Sequence, residues 1–387
     1  MKKILIFITI LFIFPQAFTQ NISNVHVKGV GLTRDEALQD ALRAAVSQAS
    51  GVVLASFTQV ENFVTLKDAI NTHTEGVVTK YTITKETPLS KTYEIEIDAE
   101  VSQDAIKQNA LALESLVGGI RFLVIYDARK FSEDKQVFLK FAVDRMNEYL
   151  ISKKYRYIET DRFENLKDAA VKVLGADTST ASFVQKLGLY SDAQFIMYIS
   201  DLSIRKAGNG STKVTIEAKA YDNCVSEGLG TVVMEGDFSA IPDYNDACKY
   251  SVRTAVTNGF DRLLMFFFTS IGNWSNNGAP YQLRFFETGT YRDFIELKNK
   301  LKADSDFGGS IEIVNMPGYT SLNCKYKKLP DAMAEKVLMS ADEIPALKEK
   351  RLDVKLLYQR QISFAPTNVK VPEAIEAGEA KAGSGKQ

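Results

Sequence analysis

The chain has 387 residues, 45% of them hydrophobic and 25% charged, the balance of a folded globular protein with material for two or three cores. A formal net charge of −1 gives no electrostatic footprint for nucleic acid. Two histidines and three scattered cysteines, with no CxxC, lack the ligands of the usual zinc modules.

The first element is a leader. Lys2 and Lys3 precede an apolar run from Ile4 to Phe14, and Pro15 breaks it. Ala17-Phe18-Thr19 then supplies small residues at cleavage spacing, so residues 1–20 read as a secretory signal peptide. The apolar run is about half the length a spanning helix needs. No cysteine stands near the cleavage site to carry a lipid. The later apolar stretch Leu263–Ile271 is also too short to span, so no transmembrane helix is expected in the mature chain. Export permits a disulfide. Cys224 and Cys248 share one expected domain and are the better pair, with Cys324 left reduced.

The fold class expected is α/β and α+β, in three small domains in series. The first, residues 21–104, opens with a strand at Val25–Val30 and a helix at Thr33–Ser50. Leu38, Ala41, Leu42, Ala45, Val46 and Ala49 recur on one helical face. Thr33 with Glu36 makes a capping box, and Gly51 reads as the stop. A weaker helix at Glu61–His73 and strands at Val77–Thr84 and Thr92–Val101 complete a βαββ-type unit. The last strand alternates Tyr93, Ile95, Ile97, Ala99 and Val101 against Glu94, Glu96, Asp98 and Glu100. Such an acidic row invites an acid/base or metal reading. Catalytic carboxylates need unlike environments that separate their pKa values, whereas these four share one wet face, opposite Lys80 or Lys85.

The second domain, residues 118–272, reads as a mixed-sheet α/β sandwich. Its elements are a central strand at Ile120–Tyr126, a helix at Glu133–Ser152, a short strand at "YRYIET", and helices at Arg162–Leu174 and Thr180–Leu187. A strand at Ala193–Ile204, a hairpin through "GNGS" into Lys213–Asp222, a strand at Gly230–Phe238 and a helix at Asp243–Thr269 follow. "IGNWSNNGAPY" (Ile271–Tyr281) reads as a linker carrying the only tryptophan. Trp274 and Tyr281 are the candidate contact residues for a glycan or a partner, against a commoner packing role at a domain junction.

The third domain, residues 281–364, has the order βαββαβ, which is ferredoxin-like. Its strands end with Leu352–Ser363 and lack the aromatic signature of RNA binding. Residues 365–387 read as a disordered tail.

The glycines Gly29 and Gly31 raise a nucleotide reading, which their setting rejects. No dinucleotide-loop spacing and no Walker lysine follow, and Asp35 and Glu36 at the helix start repel a phosphate. They are read as permitting a tight strand-to-helix turn. No cofactor is expected.

"VKGVGLTRDEALQDALRAAVSQASG", then "TEGVVTKYTITKE", then "YEIEIDAEV" resembles the N-terminal domain of flagellar assembly protein T and related bacterial envelope lipoproteins, over about 80 residues. Gly29, Gly31, Gly51 and Gly76 are the structural turns of that pattern. The middle region looks like the α/β domain of TolB and the curli export lipoprotein, by element order. The third region departs from the flagellar protein, so a flagellar role does not carry over. The resemblance implies a non-enzymatic scaffold or assembly module that packs against other envelope proteins, in the periplasm or on the periplasmic face of the outer membrane. A glycan or peptidoglycan binder is the alternative, and a carboxylate-dependent hydrolase the second.

Overall fold

The computed structural model describes residues 21–159 and 180–372. The mixed α/β expectation holds, with three sheets ordered β1-β3-β2, β4-β5-β6-β7 and β11-β12-β8-β10-β9.

The first module comprises β1 (Ile22–Gly31), α1 (Arg34–Leu54), α2 (Phe63–Thr72), β2 (Val78–Pro88) and β3 (Tyr93–Ser102). The capping box of Thr33 and Glu36 is formed. Gly51 does not stop α1. It lies inside the helix with open space around it, and buried Leu54 and Phe57 carry the apolar face onward. Gly29 and Gly31 are not turn residues either: both pair within β1, opposite Ile95 and Tyr93. Their smallness serves close packing. A Cβ at Gly29 would lie 2.1 Å from the Ala41 nitrogen, and one at Gly31 would lie 2.4 Å from that of Ala37. Gly76, at φ 71, does form a turn, leading into β2. A helix absent from the sequence reading, α3 (Gln103–Leu113), follows β3. Ser102 caps it and Ile106, Ala110 and Leu113 bury its inner face.

The second module holds β4 (Phe122–Tyr126), α4 (Glu133–Ser152), α5 (Thr180–Ser191), β5 (Phe195–Lys206), β6 (Thr212–Asp222), β7 (Glu227–Glu235) and α6 (Tyr244–Asn277). The parallel pair β4–β5 is buried on both faces, as its unbroken apolar runs require. Phe122, Val124, Phe195 and Met197 face α4 and α6, whereas Leu123, Ile125, Ile196 and Tyr198 face α5. Among its described residues, "YRYIET" contributes a single bridge, Phe122 to Tyr157. The helix expected at Arg162–Leu174 lies outside the described residues, as do residues 1–20 and 373–387.

The expected linker is instead helix. α6 runs 34 residues, a length of about 50 Å, and passes through Ile271, Gly272 and Trp274 with all three buried. Gly278, at φ 83, ends it, and β8 (Ala279–Phe286) begins at the next residue. Gly272 lets α2 cross closely: a Cβ there would lie 2.8 Å from the Ala69 carbonyl oxygen.

The third module continues with α7 (Tyr291–Lys302), β9 (Phe307–Met316), β10 (Tyr319–Tyr326), α8 (Pro330–Asp342), α9 (Pro345–Lys350), β11 (Leu352–Tyr358) and β12 (Gln361–Pro366). The single strand expected at Leu352–Ser363 is a hairpin, turned at Gln359 with φ 50. β12 therefore runs parallel beside β8, with β11 outside it. This extra strand departs from a ferredoxin-like sheet. One contiguous core extends from Val27 through Trp274 to Phe364, so the three sheets share packing rather than standing apart.

Candidate functional site

The acidic row lies on the outer face of the first sheet, and three of its four carboxylates meet a lysine across the ladder. Glu94 pairs with Lys28, Glu96 with Lys85 at 3.2 Å, and Glu100 with Lys80 at 3.7 Å. Asp98 Oδ1 lies 2.7 Å from His26 Nδ1. A hollow of about 320 Å³ sits over His26, Asp98, Thr82 and Lys80. The four acids stand in a row on one regular strand, each turned to a side chain of a neighbouring strand, and no two of them converge on a common point where one could act as acid and another as base. Among the described residues, no group of three or more His, Cys, Asp or Glu side chains is arranged to hold a metal ion.

Carboxyl ends of parallel strands are the usual ligand sites of α/β sheets. Here the end of β4 carries Asp127 and Arg129, which satisfy each other through two bonds of 2.8 Å. Burial alone would raise the Asp127 carboxyl; the Arg129 bonds outweigh it and hold it below its ordinary value.

Trp274 and Tyr281 do not face solvent. They are 4% and 1% exposed, and Tyr281 donates its hydroxyl to the Lys328 carbonyl. Trp274 instead helps to wall a joint between the second and third modules. The tip of the β11–β12 hairpin inserts Tyr358, Gln359 and Arg360 against the ends of β5 and β6. Arg360 donates to both oxygens of Asp222 at 2.8 Å and to the Pro280 carbonyl at 2.9 Å. Its guanidinium carbon stacks 4.5 Å from the Trp274 ring. Burial alone would lower the Arg360 pKa; the Asp222 charge overcomes this and holds it above its ordinary value. Burial pushes the Asp222 carboxyl up, against the opposing charge and bonds of Arg360.

Neighbouring groups complete the joint. Tyr358 donates to the Ala193 carbonyl and accepts from Asn223 at 2.9 Å. Gln359 accepts from Gln194 at 3.1 Å and donates to Asp192, which also pairs with Arg121 at 3.3 Å. Arg360, Asp222 and Gln359 were missed from sequence. Their signal was faint: a polar "YQRQ" interrupting an apolar run, and an aspartate closing one.

The first module is fastened with the same economy. Asn62, at φ 62, donates to the Val117 and Ile120 carbonyls. Tyr155 of the second module donates to Asp68 of α2, and Arg156 to Glu61 and the Gly118 carbonyl.

The expected Cys224–Cys248 bridge is absent: all three cysteines are free and buried. Cys224 N–H bonds Asp222, at the joint end of the second sheet. Cys248 lies near Lys206, at the opposite end of β5. By strand rise, twelve residues of β5 separate those ends by on the order of 35 Å, far beyond disulfide reach. Burial pushes the Cys224 and Cys324 thiols up to about 12, so neither ionises readily.

Among the described residues no helix is long and apolar enough to cross a membrane. No protein-family model and no curated protein matches this chain.

Proposed function

We propose that this protein is an exported, non-enzymatic scaffold of the bacterial cell envelope that works through protein–protein contacts in the periplasm or at the periplasmic face of the outer membrane. The observation that carries the reading is the way the modules are joined. The three modules are fixed to one another through a buried Arg360–Asp222 joint, a part-buried polar joint at Asn62 and a shared core. Ordering such joints costs free energy that separate domains on linkers avoid, and holding binding surfaces at fixed geometry is a return a scaffold needs. The leader-like start and the resemblance of the first module to flagellar assembly protein T support the address. The glycan reading loses its proposed contacts, because Trp274 and Tyr281 point inward.

The test is crosslinking in intact envelopes, followed by capture of the tagged chain. One dominant protein partner is the expected result. Retention on purified cell wall, with no protein partner, would replace the scaffold with a glycan binder.

A further inference from the structure

The three sheets present two edge strands each: β1 and β2, β4 and β7, β11 and β9. An edge offers unpaired backbone donors and acceptors, which proteins guard with bulges, charge or cover. Five of these six edges are broken in register or covered. The β2 ladder loses register twice, between Val78 and Lys80 and between Ile83 and Lys85. The ladders of β7, β9 and β11 each lose it once. β4 is covered by the Arg156–Ile158 segment, which bonds both backbone groups of Phe122. β1 alone runs its 10 residues in unbroken register, from Ile22 opposite Ser102 to Gly31 opposite Tyr93.

Alternate residues of an antiparallel edge strand turn their backbone groups outward. Val30 shows which set does so here: its N–H goes to Asp40 Oδ2 on α1, at 3.0 Å, rather than to β3. Asn24, His26 and Lys28 share that phase. The lower end of the strand is held on its inner side, where Gln103 N–H bonds the Asn21 carbonyl and the Gln103 side chain bonds the Ser23 hydroxyl. Below the Val30 tie, Asn24, His26 and Lys28 form an open window, and among the described residues its outward backbone groups have no partner.

We infer that this window takes an added strand from another polypeptide, an extended segment alternating apolar and acidic residues. The inference rests on the scaffold reading and names its contact. A strand beside β1 meets His26, Lys28 and Asn24 on the solvent face, and Val25, Val27 and Gly29 on the helix side. The solvent face of β1 carries no acid, and Lys28 and His26, which meet Glu94 and Asp98 of β3 on one side, stay about half exposed on the other. β3 already meets the same demand from the opposite side, with Glu94, Glu96, Asp98 and Glu100 outward and Ile95, Ile97 and Ala99 inward. A second copy fits less well, because β1 against β1 sets basic side chains across from their own kind. Exposed Val30 and Leu32 beside the window add apolar contact.

The probe is a synthetic peptide of the β3 sequence, Tyr93–Ser102, titrated against the full mature chain by fluorescence anisotropy. His26→Pro removes an outward donor and leaves the β3 ladder intact, so affinity should fall about tenfold. Thermal melting confirms the fold. Should that variant not fold, Lys28→Glu replaces it and should weaken the acidic peptide specifically at low salt. Absence of peptide binding, or equal binding by wild type and a folded variant, overturns the inference. A dimer in analytical ultracentrifugation that His26→Pro abolishes places a second copy on the edge and overturns the choice of occupant. The envelope capture separates the two levels: a protein partner retained in full by folded His26→Pro keeps the scaffold and removes the edge.

Discussion

Arg360 and Asp222 are withdrawn from water together, 4% and 0% exposed, so each is the main compensation for the other's lost hydration. Replacing one alone, by Arg360→Met or Asp222→Asn, should cost about 3–5 kcal/mol in urea unfolding, with much of the loss recovered when both are replaced by apolar residues. A single-variant cost below about 1 kcal/mol would show that the joint contributes little. His73 makes the opposite kind of demand. It is 4% exposed, its Nε2 has no hydrogen-bond partner among the described residues, and burial lowers its pKa from the ordinary 6.5 despite the nearby charge of Glu75. The neutral form is favoured in the fold, so the unfolded chain binds more protons as pH drops. Stability is therefore whole above 6.5 and is lost as pH falls from there through the lower folded value. Melting between about pH 7.5 and pH 5.5 should show a steeper decline in wild type than in His73→Gln. Glu96→Gln, on the wet sheet face, should leave fold and envelope phenotype unchanged. Lost function with an intact fold would make that face a site. Legibility at this scale follows range. The Thr33 and Glu36 cap lies within one turn and was read directly. Asp222 and Arg360 stand 138 positions apart, and no local pattern joins them.

Two glycines separate local conformation from packing. Gly51→Ala falls in exposed, open helix and should stabilise by about 0.5–1 kcal/mol, because alanine loses less freedom there. Gly29→Ala drives a Cβ into the backbone of α1 and should destabilise by about 1–3 kcal/mol. Thermal denaturation of the two variants side by side checks the opposite signs. The sequence treated both as turn residues, since glycine records a need for smallness and a need for unusual φ in the same letter. Helix α4 was legible to its ends, Glu133 and Ser152, because acids open it and its apolar period is complete. Helix α6 was not. "IGNWSNNG" carries helix-poor residues, yet Ile271 and Trp274 continue the face of Phe267 and Phe268, and burial overrides propensity. The β11–β12 turn was hidden for a related reason: Gln359 and Arg360 are not turn residues by preference, and their place is set by contacts on another module.

At the scale of the molecule, α6 joins all three modules. It packs on α2 and α3 of the first module, on β6 and β7 of the second, and on β8 and β9 of the third. The chain should therefore unfold in one calorimetric transition, and residues 271–281 should resist proteolysis that linkers of similar composition do not. Two resolved transitions, or early cleavage in that segment, would show modules that are merely strung together. The order of elements was readable from periodicity; their union was not, because the residues that unite them are single side chains scattered among the strands. One of these doubles as an instrument. Trp274 is the chain's only tryptophan, and its ring lies against the Arg360 guanidinium inside the joint. Intrinsic fluorescence of this protein is consequently a one-site spectrum: a red shift in its emission would report water reaching that seam, without any label, and would time the parting of the second and third modules against the loss of helix seen by circular dichroism.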